Sequence, residues 1–256
     1  GDGKFAKLTA NLSVATTQPV TLNLSNSGTS SSDDFVESLD TVTAISNGLV
    51  LYYDFEGNIE DKSGNGNHGS GFNVSLTNDK NGKENSAYSF NGNNSYIEVP
   101  WSGDVKIQED ITMSVWVKVK DKNDEGNNSG GNSRLIYAPN SYYEMWLNWN
   151  SDGQNDREIY ARSGGHGYEI STNNNITENS WKHVVYTFSS DTLKMYVDGT
   201  KVRTQYKSWS WNNGISNDGT LYIGSSGPSN NTFLGDLDNV RLYDRALSSD
   251  EVTALY

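Results

Sequence analysis

The sequence predicts an all-β fold, a two-sheet antiparallel jelly-roll β-sandwich with a short C-terminal helical turn. Three observations predict it. Strand-like segments of alternating apolar and polar residues recur along the 256 residues, separated by Gly-, Asn- and Ser-rich stretches. Hydrophobic residues make up only 34%, and a sandwich needs them on one face of each strand; Trp 7, Tyr 15 and Phe 7 supply large buried areas per position. The only helical signal stands at the very end.

In chain order, residues 1–46 come first. Leu8, Ala10 and Leu12, then Val20, Leu22 and Leu24, alternate with small polar residues as two strands joined near Thr17–Pro19, followed by the polar turn Gly28–Asp34. Two or three strands bury too small a core to stand alone. This N-terminal β segment therefore packs on the main domain or is the stub of a neighbouring module, and the second reading is preferred. The main domain, 47–256, opens on LVLYYDFEGNIEDKSGNGNHG, a strand with Leu49, Leu51, Tyr53 and Phe55 on one face that runs into an oxygen-rich loop. Strands follow at Ala87–Phe90, Tyr96–Val99, Ile111–Val119, Arg134–Tyr137, Tyr142–Asn148, Glu158–Arg162, Trp181–Ser189, Thr192–Val197, Leu221–Gly224 and Leu234–Tyr243. Asn91-Gly92 and Asp198-Gly199 read as tight turns, the second joining LKMYV to KVRTQY in a hairpin. Trp116 and Trp181, set among β-branched neighbours, read as core positions on facing sheets. In LSSDEVTALY, Ser248 and Glu251 form a capping box for the closing helix.

The net charge of −13 argues against nucleic acid or an anionic membrane as partner, since both need a basic surface. No apolar run approaches the ~20 residues of a membrane span, so membrane insertion is not expected. Cys 0 excludes disulfides and thiolate metal sites, and a cystine-free chain of this size points to a bacterial extracellular or cell-surface protein. The opening Gly1-Asp2-Gly3 carries neither an initiator Met nor a signal peptide and reads as a mature product or a piece of something longer.

YYDFEGNIEDKSGNGNHG, AYSFNGNNSYIEVP, ITMSVWVKV, WKHVVYTF, LKMYVDG, LYIG and GDLDNVRLYDRALSSDEV, in that order, resemble the laminin-G-like, concanavalin A-like lectin/glucanase superfamily in its bacterial form. The resemblance covers residues 47–256 and implies the sandwich fold. That fold carries lectins, receptor modules, enzymes and spacers, so function has to come from the site. The segment before it resembles the edge of a Calx-β repeat.

Calcium takes roughly six to eight oxygens from carboxylates, amides and backbone carbonyls. Glu56, Asn58 and Asp61 cluster around Gly57, with Ser63 and Asn65 beyond and Asp54 as a spare, and form a candidate structural Ca2+ site. The resemblance adds Asp238, at an acidic position of the last strand that in many members of the superfamily helps hold a structural calcium. An ion there pins the first strand to the last. The alternative is that Asn58 and Asp61 only make Asx turns.

Catalysis is not expected. The resemblance to retaining glucanases would require Glu-x-Asp-x-(x)-Glu on one strand face, and no strand carries it; Glu56, Glu60 and Asp61 lie in a loop. The family's lyases use Arg, His and Tyr on the concave sheet. Here only Arg162, His166 and Tyr168 approach that pattern, and they read as a glycine turn.

Carbohydrate modules stack sugar faces on aromatic rings and bond the hydroxyls with amides and carboxylates. YYEMWLNWN places Tyr142, Glu144, Trp146 and Asn148 on one strand face, with Trp149 at the strand end and Tyr160 and Arg162 on the next strand. KSWSWNNG projects Trp209 and Trp211 to one side. The expectation is a non-catalytic, calcium-stabilised, lectin-like carbohydrate-binding module of a bacterial surface adhesin or secreted multidomain protein, with a glycan or polysaccharide as partner. One alternative is a structural or protein-binding adhesin module with these aromatics buried and a surface protein as partner. A polysaccharide hydrolase or lyase stands behind both. Exposed Trp146, Trp149, Trp209 and Trp211 favour the glycan, and buried ones the alternative.

Overall fold

The computed structural model describes residues 45–101, 103–107, 109–120, 132–139, 142–149, 157–164, 169–173, 176–206 and 219–256. The N-terminal segment up to residue 44, His166, Tyr168, Trp209 and Trp211 lie outside the described residues.

The strands are β1 (Leu49–Tyr53), β2 (Ser70–Phe72), β3 (Ser75–Thr77), β4 (Ala87–Asn91), β5 (Tyr96–Pro100), β6 (Ile111–Val119), β7 (Asn132–Tyr137), β8 (Tyr143–Trp149), β9 (Arg157–Ser163), β10 (Glu169–Ser171), β11 (Trp181–Ser189), β12 (Thr192–Val197), β13 (Thr200–Tyr206), β14 (Thr220–Ile223) and β15 (Leu234–Tyr243), followed by the helix α1 (Ser249–Leu255). They build two antiparallel sheets. One has eight strands, in the order β13-β12-β11-β6-β15-β4-β3 with β1 also on β15. The other has seven, in the order β10-β9-β8-β7-β14-β5-β2. The jelly-roll sandwich expected from the alternation is the observed architecture.

Alternation also explains the core. Met113, Val115 and Val117 of β6 and Leu237 and Val240 of β15 point inward, against Met145 and Leu147 of β8, Ile159 of β9 and Leu221 of β14. β15 is the pivot of the larger sheet. Its first half pairs with β4 at Leu234–Leu237, and its second half pairs with β1 at Val240–Tyr243. The handover coincides with a bulge between Asp238 and Arg241, where Asn239 takes φ 50°.

The outward side of the eight-stranded sheet is closed by α1. Leu247 and Val252 meet Val185, Tyr196 and Tyr243, with Leu49 and Leu255 packed alongside. The expected capping box is present: Ser248 Oγ accepts from the Glu251 amide while Glu251 Oε2 accepts from the Ser248 amide at 2.7 Å. Asp198 and Gly199 both have positive φ, 50° and 72°, as the tight hairpin between β12 and β13 requires. Trp116 and Trp181 correct the expectation of facing sheets. They lie on paired neighbouring strands of one sheet, Trp116 opposite His183 and Trp181 opposite Lys118, and both fall on the outward phase, away from the core.

Candidate ligand-binding face and the expected cation site

The loop after β1 spends its oxygens on the chain itself. Asp61 is buried, and its two carboxylate oxygens accept four hydrogen bonds: Oδ1 from the Tyr52 and Ser63 amides at 2.9 Å each, and Oδ2 from Ser63 Oγ at 2.8 Å and the Asn67 amide at 2.9 Å. That uses every lone-pair direction an ionised carboxylate offers. Asn67, Asn65 and Ser63 then donate to the Val50 carbonyl at 2.8, 3.2 and 3.2 Å, and the Lys62 amide donates to the Tyr52 carbonyl at 2.7 Å. The loop thus covers the edge of β1 that β15 leaves unpaired.

In this structure the other expected oxygens are likewise engaged within the chain. Glu56 pairs with Lys83 and accepts from Ser86 Oγ, and Asn58 Oδ1 accepts from the Glu60 amide at 3.0 Å, an Asx turn. Asp54 Oδ1 accepts from the Glu56 amide in the same way. Among the described residues, no three His, Asp or Glu side chains stand close enough together to share an ion. The four residues expected as ligands are therefore not gathered into one site.

Asp238 has a different environment. It is 1% exposed on the outward side of β15, opposite Trp116 of β6, and neither oxygen has a donor in hydrogen-bond geometry. Burial pushes its carboxyl up to about 6, opposed by Asn239 and Lys80. On the other side of Trp116, burial pulls the imidazole of His183 down to about 3, helped by Arg241 and Lys80. His183 Nε2 lies 2.9 Å from Ser114 Oγ, and its ring stacks at 5.1 Å on Trp116. It is a packed neutral side chain with no route to act as a base.

The aromatic candidates of β8 and β9 fall on the outward side of the seven-stranded sheet. Direct partners across its ladders are Ser70, Glu98, Tyr222, Tyr137, Glu144, Arg162 and Glu169, one from each strand. Seven strands about 4.8 Å apart make that row roughly 29 Å long. A second row alongside carries Phe72, Tyr96, Trp146 and Tyr160. Phe72 stacks on Tyr96 at 4.8 Å, and Tyr96 meets Tyr222 edge-on at 5.8 Å. At the other end Trp146 stacks on Tyr160 at 5.5 Å, with the Arg134 and Arg162 guanidinium groups 5.2 and 5.4 Å from the Trp146 ring centre. Glu144 receives both arginines: Arg134 Nε at 2.7 Å from Oε2, and Arg162 Nη2 against Oε1.

Glu144, Trp146, Tyr160 and Arg162 are therefore brought together as the alternation implied. Tyr142 is not. β8 begins one residue later, and the Tyr142 amide donates to the Pro139 carbonyl, so the side chain turns into the core and stacks on Trp101 at 6.4 Å. Trp146 is on the face but only 6% exposed. Residue 149 ends β8, and its side chain lies outside what is described. Arg134, Phe72, Tyr96, Tyr137 and Tyr222 are additions. Tyr96 and Tyr222 sit at the non-core positions of segments already legible as strands, which was the available signal; Phe72 lies in a strand too short to show a period.

Rings flanked by guanidinium and carboxylate groups suit a ligand with apolar C–H faces and hydroxyls. Glu144 does not suit catalysis, since it is fully buried and held by two cations.

Similarity to known proteins follows the fold. A family model described as the concanavalin A-like lectin/glucanases superfamily matches residues 91–253. The zebrafish (Danio rerio) adhesion G-protein coupled receptor V1 is 28% identical over 162 residues, 59% of this chain and 2% of the receptor. The binding domain of Paraclostridial mosquitocidal protein 1 superposes with a TM-score of 0.63 at 23% identity, covering 82% of this chain and 52% of that one. Domain 4 of AbnA, an extracellular arabinanase of Geobacillus stearothermophilus solved with arabinotriose, gives a TM-score of 0.60 at 21% identity, covering 81% and 97%. The chain thus spans about half of the mosquitocidal binding domain and a small fraction of the receptor.

Proposed function

We propose that this chain, which belongs to the concanavalin A-like lectin/glucanases superfamily, is a non-catalytic recognition module that binds a glycan on the outward face of its seven-stranded sheet. The observation that carries this reading is the pair of rows just described: half-buried Tyr96, Tyr137, Tyr160 and Tyr222 and exposed Phe72, interleaved with Glu98, Arg134, Glu144 and Arg162. Its length suits an oligosaccharide of several rings more than a single sugar. The arabinotriose held by domain 4 of AbnA supports a sugar as ligand class.

The setting proposed is extracellular, in a multidomain surface or secreted protein, with bacterial origin carried over from the absence of cysteine. The match to an adhesion receptor supports the extracellular part, and among the described residues no helix is long and apolar enough to cross a membrane. Structural calcium belongs to the reading only through Asp238, since Glu56, Asn58 and Asp61 are engaged elsewhere.

A second reading, a structural or protein-binding module without a sugar site, rests on the burial of Trp146. A glycan array probed with the full chain separates the two. Retention of one glycan class, lost on Tyr96→Ala or Tyr222→Ala in a folded protein, supports the first; retention of none supports the second.

A further inference from the structure

We infer that the glycan bound by this face carries a negative charge, a carboxylate or a sulfate, that docks on Arg134 and Arg162. This rests on the glycan reading above and adds the chemical class of the ligand.

The warrant is a mismatch of charge on the face. Two arginines share one carboxylate, Glu144, whose side chain is fully buried, whereas those of Arg134 and Arg162 are 13% and 14% exposed. The carboxylate is the floor of the cluster and the guanidinium groups are its top, so what faces outward is cationic. Neutralising Glu144 needs only one of them. The second leaves a net positive charge in a poorly hydrated position, on a chain whose net charge is −13. Stacking on Trp146 holds both planes in place but supplies no counter-charge. Arg162 Nε is buried with no acceptor. Glu169 stands opposite Arg162 in the ladder and Glu158 lies beside Tyr160, yet neither is within ion-pair distance of either guanidinium among the described residues. Beyond Glu144 and the Asn132 carbonyl, to which Arg134 Nη1 donates at 3.3 Å, a carboxylate or sulfate offers what the two guanidinium groups leave unmatched: paired acceptor oxygens and one negative charge. The neighbouring rings supply the surface against which the rest of the sugar lies.

The test is an array of sialylated, uronate-containing, sulfated and neutral glycans, followed by calorimetric titration of the full chain with each retained glycan and its uncharged analogue. The acidic member is expected to bind about tenfold or more tightly than its analogue, with the gap closing between ~50 and ~500 mM NaCl. The carboxylate and sulfate arms identify the source of the charge. Arg162→Gln should remove the preference, Arg162→Lys should restore part of it, and Glu169→Gln should tighten acidic ligands. Should Arg162→Gln fail to fold, the salt dependence of the unmodified protein and Glu169→Gln still decide. Retention of neutral glycans alone, or equal binding of both kinds, overturns the inference and leaves the glycan reading standing. Retention of nothing overturns both.

Discussion

Among the described residues, the outward side chains of β11, β12 and β15 on the eight-stranded sheet meet another part of the same chain, while those on the seven-stranded sheet meet one another. Val185, Tyr196 and Tyr243 are roofed by Leu247 just before α1 and Val252 within it, and Trp116 and His183 stack under Tyr256. Across the sandwich, Phe72, Tyr96 and Tyr222 pack together and Trp146 packs on Tyr160, with charges between the two groups and only partial burial for most. Both faces obey the same two-residue period. What differs is that one outward set is apolar enough to reward a helical lid, and the other mixes rings with ions that a lid would have to desolvate. On the proposed reading, stability is concentrated on the first face and recognition on the second.

The separation breaks most visibly if the lid is damaged. Leu247→Ala should cost about 2–5 kcal/mol in denaturant unfolding, as buried leucines do when a cavity replaces them. Glycan affinity of the folded variant should stay unchanged, and a parallel loss of affinity would show that the faces are coupled.

A smaller effect comes from the two titrating groups beside Trp116. The carboxyl of Asp238 is raised, so its contribution is fully present below its unfolded value near 4 and is lost as pH rises through about 6. The imidazole of His183 is lowered, so its contribution is present above its unfolded value near 6.5 and is lost as pH falls toward about 3. Between about pH 4 and 6 the two slopes oppose each other, and unfolding free energy should be nearly flat there. Asp238→Asn should raise stability at pH 7 by up to about 3 kcal/mol and expose the acid-side loss, and His183→Gln should do the reverse. A destabilised Asp238→Asn protein that has lost a calcium-dependent stabilisation shown by the unmodified protein would instead mark Asp238 as a ligand.

The clasp at β1 gives the next test. Asp61→Asn removes acceptors from buried donors and should cost about 2 kcal/mol. A chelator should leave this clasp intact, and a fall of several degrees in the melting temperature of the unmodified protein would point to an ion held at Asp238 instead.

Much of this was legible in advance, and the omissions have physical causes. β6, β11 and β15 run long enough to show their period, whereas β2, β3 and β10 have three residues each and show none. Glu144 with Trp146, and Tyr160 with Arg162, follow from spacing within a strand. The meeting of Tyr222 with Tyr137, and of Arg134 with Trp146, depends on cross-strand register and on a bulge between Arg134 and Ile136, which no local pattern encodes. The loop of Asp61 shows a different limit. Oxygen-rich composition describes an ion cage and a hydrogen-bonded edge cover equally well, and only the positions of the amides tell them apart.

The smallest expected effect on stability is also the most direct test of the comparison. Phe72 is 39% exposed on β2, at the end of the sheet, and its ring lies on Tyr96. Phe72→Ala removes little buried area and one ring contact, so unfolding free energy should fall by no more than about 1 kcal/mol. If the row of rings is a binding surface, affinity for the retained glycan should nonetheless drop about fivefold or more, because a stacking partner is lost without any change to the core. Calorimetric titration and thermal unfolding of the same preparation read both quantities. Unchanged affinity would confine the ligand to the half of the face around Trp146 and Arg162. A melting temperature lowered as far as that of Leu247→Ala would show that these rings hold the sheet edge together, and the two faces would then differ in composition but not in task.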